Sequence, residues 1–324
     1  MYDYRELGFV NTKEMLLKAY KEGYAVPAFY PISIEQMNAI TDIVIENNSP
    51  LIVLASSNLE HQLEPEMLVH MVQGAVDRIK HAGKNLPVAL HLDHGKSYEA
   101  CVEAINNGFS SVMIDGSMLP FEENINLTKK VVEYAHQRGV TVEAELGTLT
   151  GVEEDGGEEV QTSKYTNPQK AAEFIKRTGC DSLAVSVGTC HGLVKMIPNE
   201  NGELPPLAHD ILSEITKLVP DFPLVLHGSS NIDPKYVQMI NEHGGNIQKT
   251  VGIPDSEIEK AAKGPICKVN IATDGWICAL ANTRRILDER KDAIDSRVFQ
   301  LKNREYLKEL YAHKIEILGS KDRY

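Results

Sequence analysis

Apolar residues gather in short runs along the whole chain: Tyr24 to Phe29, Leu51 to Ala55, Val88 to Leu92, Ser111 to Ile114, Val140 to Leu146, Leu183 to Val187, Leu224 to Leu226 and Cys267 to Ile271. Their brevity and their content of β-branched and aliphatic residues predict eight strands. Between most of them the apolar positions recur with a helical period, over Ile34 to Glu46, Glu66 to Ile79, Tyr98 to Asn106, Glu123 to His136, Pro168 to Lys176 and Asp210 to Leu218. Asn167 before Pro168 predicts a helix start, because proline's fixed φ and missing N–H suit the first helical position. Eight strands alternating with helices predict an α/β chain folded as a (β/α)₈ TIM barrel. An open doubly wound sheet would normally carry a GxGxxG turn after an early strand, and the chain has none there.

The 324 residues suit one such barrel domain over 1–324, with C-terminal helices from about Trp276 onward. Two segments read as loops: Thr148 to Thr166, with its acidic GVEEDGGEE core, and Asn199 to Leu207. The first follows the strand that ends near Leu146, so it predicts a mobile acidic loop overhanging that end of the barrel.

A formal net charge of -13 argues against nucleic acid and against anionic membranes as partners, since both need basic surface to neutralise phosphate. The five cysteines show no paired short spacing and point to reduced thiols. The N-terminal MYDYRELGFVNTKEM lacks the apolar stretch of a signal peptide, and no run is long enough to span a bilayer, so the expected location is cytoplasmic.

Polar residues then acquire meaning from their place. Ser56, Asp93, His94, Asp115, Glu145, His191, His227 and Asn270 all fall at or just beyond the carboxyl end of a predicted strand, where barrels build their sites. His94, His191 and His227 each precede a glycine, and three imidazoles at strand ends can hold Zn²⁺ with a coordination position left open. Asp93 needs a partner if buried; it either orients a ligand histidine or serves as a general acid/base. His91 shares the face of Asp93 and reads as packing or as support behind a ligand. Glu143 and Glu145 share a face and are either hydrogen-bond partners or further oxygen ligands. Gly192 with Lys195, the HGSS of His227 to Ser230 and the NIATD of Asn270 to Asp274 are candidate anion nests.

The segments LHLDHG, GFSSVMIDGSMLPFEENI, VVEYAHQRGVTVEAELGTLTGVEED, DSLAVSVGTCHG, PLVLHGSS and KVNIATD, in that order, resemble those of the class II, metal-dependent fructose-bisphosphate and ketose-bisphosphate aldolases. The resemblance implies a cytoplasmic enzyme of glycolysis or related carbohydrate metabolism, a homodimer or homotetramer, that cleaves a ketose bisphosphate to dihydroxyacetone phosphate and an aldehyde. It implies that His94, His191 and His227 bind the catalytic Zn²⁺, that Asp93 handles the C4 hydroxyl proton, and that Glu154, with Glu153 beside it, exchanges a proton at C3. Gly192, Gly228, Ser230 and Thr273, with Lys195, would take the proximal phosphate, and Asn270 would bind near the reacting carbons. Asp115 and Glu145 would hold a second divalent or a monovalent cation. Ser56 would meet the distal phosphate, and Arg297 would reach it from a neighbouring subunit.

The chain departs from the family's usual pattern at Tyr30, where asparagine is common, and at Ala272, where aspartate is common. Alanine there is similar to tagatose-bisphosphate aldolases. Cys190 stands for the more usual serine, and Ser57-Asn58 alters the distal pocket. The substrate is thus expected to be a fructose- or tagatose-type 1,6-bisphosphate, the alternative being another ketose 1-phosphate such as sulfofructose 1-phosphate. A barrel metallohydrolase and a non-catalytic sugar-phosphate binder are the rival functions; the acidic loop weighs against the first.

Overall fold

Eight parallel strands pair in chain order and close into a barrel, β1 (Val26–Phe29), β2 (Leu51–Ser56), β3 (Val88–Gly95), β4 (Ser111–Ile114), β5 (Thr141–Leu146), β6 (Ser182–Val185), β7 (Leu224–Leu226) and β8 (Ile266–Ile271), with β8 returning to β1. This is the (β/α)₈ architecture that the alternating periods predict. The computed structural model describes residues 2–56, 65–149, 165–199, 201–248 and 250–324. Among the described residues no helix is long and apolar enough to cross a membrane.

Local chemistry fixes the helices. Ser33 and Ser97 cap α2 (Ile34–Glu46) and α4 (Tyr98–Asn106), their hydroxyls accepting from Gln36 N and Ala100 N. Asn167 does the same for α6 (Pro168–Thr178), with Pro168 at its first position and Gly179 in the left-handed conformation that ends it. Each such cap contributes about 1 kcal/mol. Three further helices went unread in the sequence: α1 (Lys13–Glu22), α8 (Pro234–Glu242) and α9 (Asp255–Ala262). The C-terminal helices α10 (Thr273–Glu289) and α11 (Arg297–Ile317) begin slightly before the expected Trp276, directly after β8.

The strands are buried on both faces, which divides the apolar interior in two. Phe29, Val53, Leu90, Val112 and their outward-facing neighbours pack under the helices. Val26, Ala28, Ile52, Leu54 and Ala89 face the barrel axis, and Met15, Leu16 and Ala19 of α1 pack with them. That contact explains α1: a short amphipathic helix that closes the end of the barrel remote from the polar strand ends. β2 and β3 run past their predicted ends because Ser56 pairs with Asp93 and Gly95 with Ile114, so Ser56, Asp93 and His94 sit on strand backbone rather than on loops.

Candidate active site

The ring of His94 lies 4.8 Å from that of His227 and 5.2 Å from that of His191, measured between centroids. The histidine-glycine doublets have a steric reason. A Cβ on Gly95 would stand 2.5 Å from the Met113 carbonyl oxygen, and one on Gly228 (φ +62) would stand 2.5 Å from that of Cys190. Glycine therefore lets the backbone after His227 lie against the backbone before His191. His94 itself has φ 47, beyond a register shift between Leu92 and Gly95. A strained non-glycine residue beside a strand irregularity is a common way of re-aiming a side chain at a site.

The outer nitrogens of two rings are tied to carboxylates. His94 Nδ1 lies 3.0 Å from Asp115 Oδ2, while Ser117 donates its N–H and hydroxyl to Asp115 Oδ1. His227 Nε2 lies 2.9 Å from Glu143 Oε1, and Lys268 Nζ donates to both Glu143 oxygens at 3.0 and 2.8 Å. Behind them, His91 Nε2 is 3.3 Å from Lys268 Nζ and its Nδ1 is 2.8 Å from Ser111 Oγ. Among the described residues, buried His227 Nδ1 and Glu145 Oε2 make no well-aligned hydrogen bond and face each other at 3.4 Å as an ion pair. A buried imidazole nitrogen and carboxylate oxygen facing each other in this way are a donor set that suits a cation.

Donor atoms of Asp93, His94 and His227 lie within 4.8 Å of one another, and so do those of His94, Asp115 and Glu145. His191 stands outside both close groups but lines the same pocket. Asn270 Nδ2 donates to Asp93 Oδ1 at 2.9 Å, which holds that carboxylate at the pocket wall.

Charge follows this geometry. Burial pushes His91 down to about 3, with Lys268 adding to the effect, so it is neutral and can accept from the ammonium. Burial also opposes charge on His227, but Glu143 and Glu145 carry it up to about 9. Against burial, Asp93, Asp115 and Glu145 likewise raise His94 well above its ordinary range. Burial and nearby His94 lower His191. Asp93 stays below the usual carboxylate range because His94, His227 and Lys268 outweigh its burial. A cation held by these rings would have to displace the protons that the carboxylates draw to His94 and His227.

The pocket is also lined by Tyr30, Ser56, Asn270 and Ala272. Ser229, rather than Ser230, faces it; Ser230 is buried and its carbonyl accepts from Ile253 N. Thr273 is buried at the start of α10. Gly192 (φ +77) and the fully buried Lys195 follow His191 on its loop but do not line the pocket. Arg297 heads α11 with its side chain 77% exposed and paired to Asp295, away from the pocket of its own chain. Glu153, Glu154, Ser57 and Asn58 lie outside the described residues. Sequence reasoning missed Lys268 as a site residue. The signal was there: it precedes Asn270 by two positions on a strand, so both share the inward face.

Residues 10–323 match the family described as Fructose-bisphosphate aldolase class-II. A fructose-bisphosphate aldolase of Treponema pallidum is 47% identical, with both chains covered in full. One of Helicobacter pylori is 40% identical over 97% of this chain and 99% of its own. The crystal structure of the YdjI aldolase from Escherichia coli K12 superposes with a TM-score of 0.73 at 28% identity, covering 97% of this chain and 99% of that one. The ordered run of motifs, the barrel and these matches agree, and the chain belongs to the metal-dependent class II fructose-bisphosphate aldolase family and is a class II aldolase, a carbon–carbon lyase.

Proposed function

We propose that the chain reversibly cleaves fructose 1,6-bisphosphate to dihydroxyacetone phosphate and glyceraldehyde 3-phosphate, as a Zn²⁺-dependent homodimer or homotetramer of the cytoplasm. The observation that carries this reading is the convergence of three imidazoles on one pocket, two of them anchored from behind by Asp115 and Glu143. His94, His191 and His227 would hold the ion, with Asp115 and Glu145 available to a second cation. A bound Zn²⁺ supplies Lewis acidity toward the ketose carbonyl and positive charge for the electrons released at C3.

The chain's own residues do the rest. Asp93, held ionised and fixed by Asn270, takes the C4 hydroxyl proton as the C3–C4 bond breaks and C4–O becomes a carbonyl. Glu154 returns a proton to C3. Gly192, Gly228, Ser230 and Thr273, with Lys195, bind the proximal phosphate; Asn270 orients the reacting carbons; Ser56 meets the distal phosphate, joined by Arg297 of a neighbouring subunit.

Ala272 and Tyr30 line the pocket and favour a second reading, in which the ketose is of tagatose type or bears a sulfonate in place of the distal phosphate. Turnover of fructose 1,6-bisphosphate, tagatose 1,6-bisphosphate and sulfofructose 1-phosphate, with metal content measured on the same sample, decides between them. Preference for the first with activity abolished by chelation is expected. Full activity after complete metal removal would overturn the metal reading, and tight binding of all three without turnover would make the protein a sugar-phosphate binder.

A further inference from the structure

Asp274, one residue beyond the candidate phosphate ligand Thr273, sends its carboxylate not into the pocket but sideways to the loop that follows β7. Its Oδ1 accepts from Ile232 N at 2.8 Å and its Oδ2 from Asn231 N at 3.2 Å. Ile232 is buried with φ 44, a conformation that β-branched residues rarely adopt. The other side of the loop is closed as well: Ile253 N donates to Ser230 O, and a Cβ on Gly252 would fall 1.5 Å from the Asn231 carbonyl oxygen. Loop Gly228–Ile232 is thus gripped between Gly252 and Ile253 on one side and one carboxylate on the other. That carboxylate is matched by Lys314 of α11, whose Nζ is 2.8 Å from Asp274 Oδ2, with both side chains 1% exposed.

We infer that the Asp274–Lys314 pair positions the phosphate loop, so that a helix at the end of the chain sets affinity for the substrate's proximal phosphate. The inference rests on the reading of Gly228, Ser230 and Thr273 as phosphate ligands. Two physical roles meet in the pair. Asp274 joins the loop to the N-terminus of α10, holding the two halves of the phosphate site in one geometry. Lys314 cancels a buried negative charge that would otherwise repel a phosphate dianion beside it. Neither residue lines the pocket, so both are positioning residues.

The test uses the zinc-loaded full chain and compares Lys314→Met, Lys314→Arg, Asp274→Asn and Thr273→Val. Metal content and thermal unfolding are measured beside KM and kcat for fructose 1,6-bisphosphate and competitive inhibition by inorganic phosphate. Lys314→Met is expected to raise KM and the phosphate inhibition constant together by about tenfold, with kcat changed less than about threefold and metal content kept. Lys314→Arg is expected to recover most of that loss, which a mere packing defect would not predict. Asp274→Asn leaves one acceptor oxygen for two backbone N–H groups, and is expected to weaken phosphate through the lost loop geometry rather than through charge. Unchanged phosphate inhibition in a folded Lys314→Met or Asp274→Asn protein overturns the inference, as does loss of kcat in step with metal. Thr273→Val, which removes the proposed ligand's hydroxyl at nearly constant shape, separates the two levels. If it too leaves phosphate affinity unchanged, the phosphate-site reading fails; if it weakens phosphate while the Asp274 and Lys314 variants do not, only the inference fails.

Discussion

Lys268 and Glu143 form an ion pair inside the barrel at 2.8 Å, with neither side chain more than 1% exposed. Such a pair is costly to bury and costlier to break, because removing one partner leaves a charge without compensation; the loss is about 3 kcal/mol or more. Here the surviving group would be Glu143, which also holds His227 Nε2. Lys268→Met should therefore lower stability by about 3 kcal/mol and weaken zinc binding by about tenfold, the range seen when support behind a metal ligand is removed. Urea unfolding and competition with a chromogenic chelator measure the two effects. Zinc affinity left at the wild-type value would disconnect Lys268 from the metal site.

His191→Ala and Asp93→Ala separate binding from chemistry. The first removes a proposed ligand, so metal and activity should disappear together. The second removes a base while leaving three imidazoles in place, so the protein should keep its metal and lose about a hundredfold or more in turnover. Metal analysis beside a coupled assay reads both. A metal-replete, fully active His191→Ala protein would contradict the ligand assignment.

The barrel and the ring of polar strand ends were legible because they are written in local periods: apolar runs for strands, helical spacing between them, and His-Gly at strand ends. What was illegible is what depends on partners distant in sequence. The use of α1 shows only when Met15 and Leu16 are seen against residues of the barrel axis. The pairing of Asp274 with Lys314 joins residues far apart in the chain, as does that of Lys268 with Glu143. Likewise Asp93 could be read as acid, base or support, and its bond to Asn270 comes from β8 lying across the pocket from β3.

Acidity should stabilise the metal-free protein while weakening its hold on zinc. In the metal-free chain His227 rises from 6.5 to about 9, because Glu143 and Glu145 outweigh the burial that disfavours its charge. A group with a raised folded pKa contributes stability that is complete below its unfolded value and fades as pH climbs through the folded one. Metal-free protein should accordingly lose stability between about pH 6.5 and 9. Zinc must displace that proton, so its affinity, and the stabilisation it confers, should grow over the same interval. Thermal unfolding of chelator-treated and zinc-loaded samples across this range tests the sign. A zinc-induced shift in Tm that stays constant or shrinks toward pH 9 would show that His227 carries no proton in competition with the metal.

Tyr30 offers a way to ask which end of the substrate meets Ser56. Its hydroxyl oxygen accepts from Ser56 N at 3.2 Å, its carbonyl accepts from Trp276 Nε1 at 3.2 Å, and its ring packs edge-on to that indole. The phenol therefore fixes the backbone at the end of β2 at one corner of the pocket. Tyr30→Phe keeps the ring and its packing but removes the acceptor, a net loss of about 1 kcal/mol for a neutral hydrogen bond. If Ser56 binds the distal phosphate, that loss should appear as a fall of about fivefold in kcat/KM for fructose 1,6-bisphosphate. Fructose 1-phosphate, which has no group at that end, should be cleaved by wild type and variant at nearly the same efficiency. The ratio of the two efficiencies, measured with zinc content held equal, is the readout. An equal loss on both substrates would move the role of Tyr30 from the distal group to the reacting carbons, and a loss confined to the monophosphate would exclude Ser56 from the distal site.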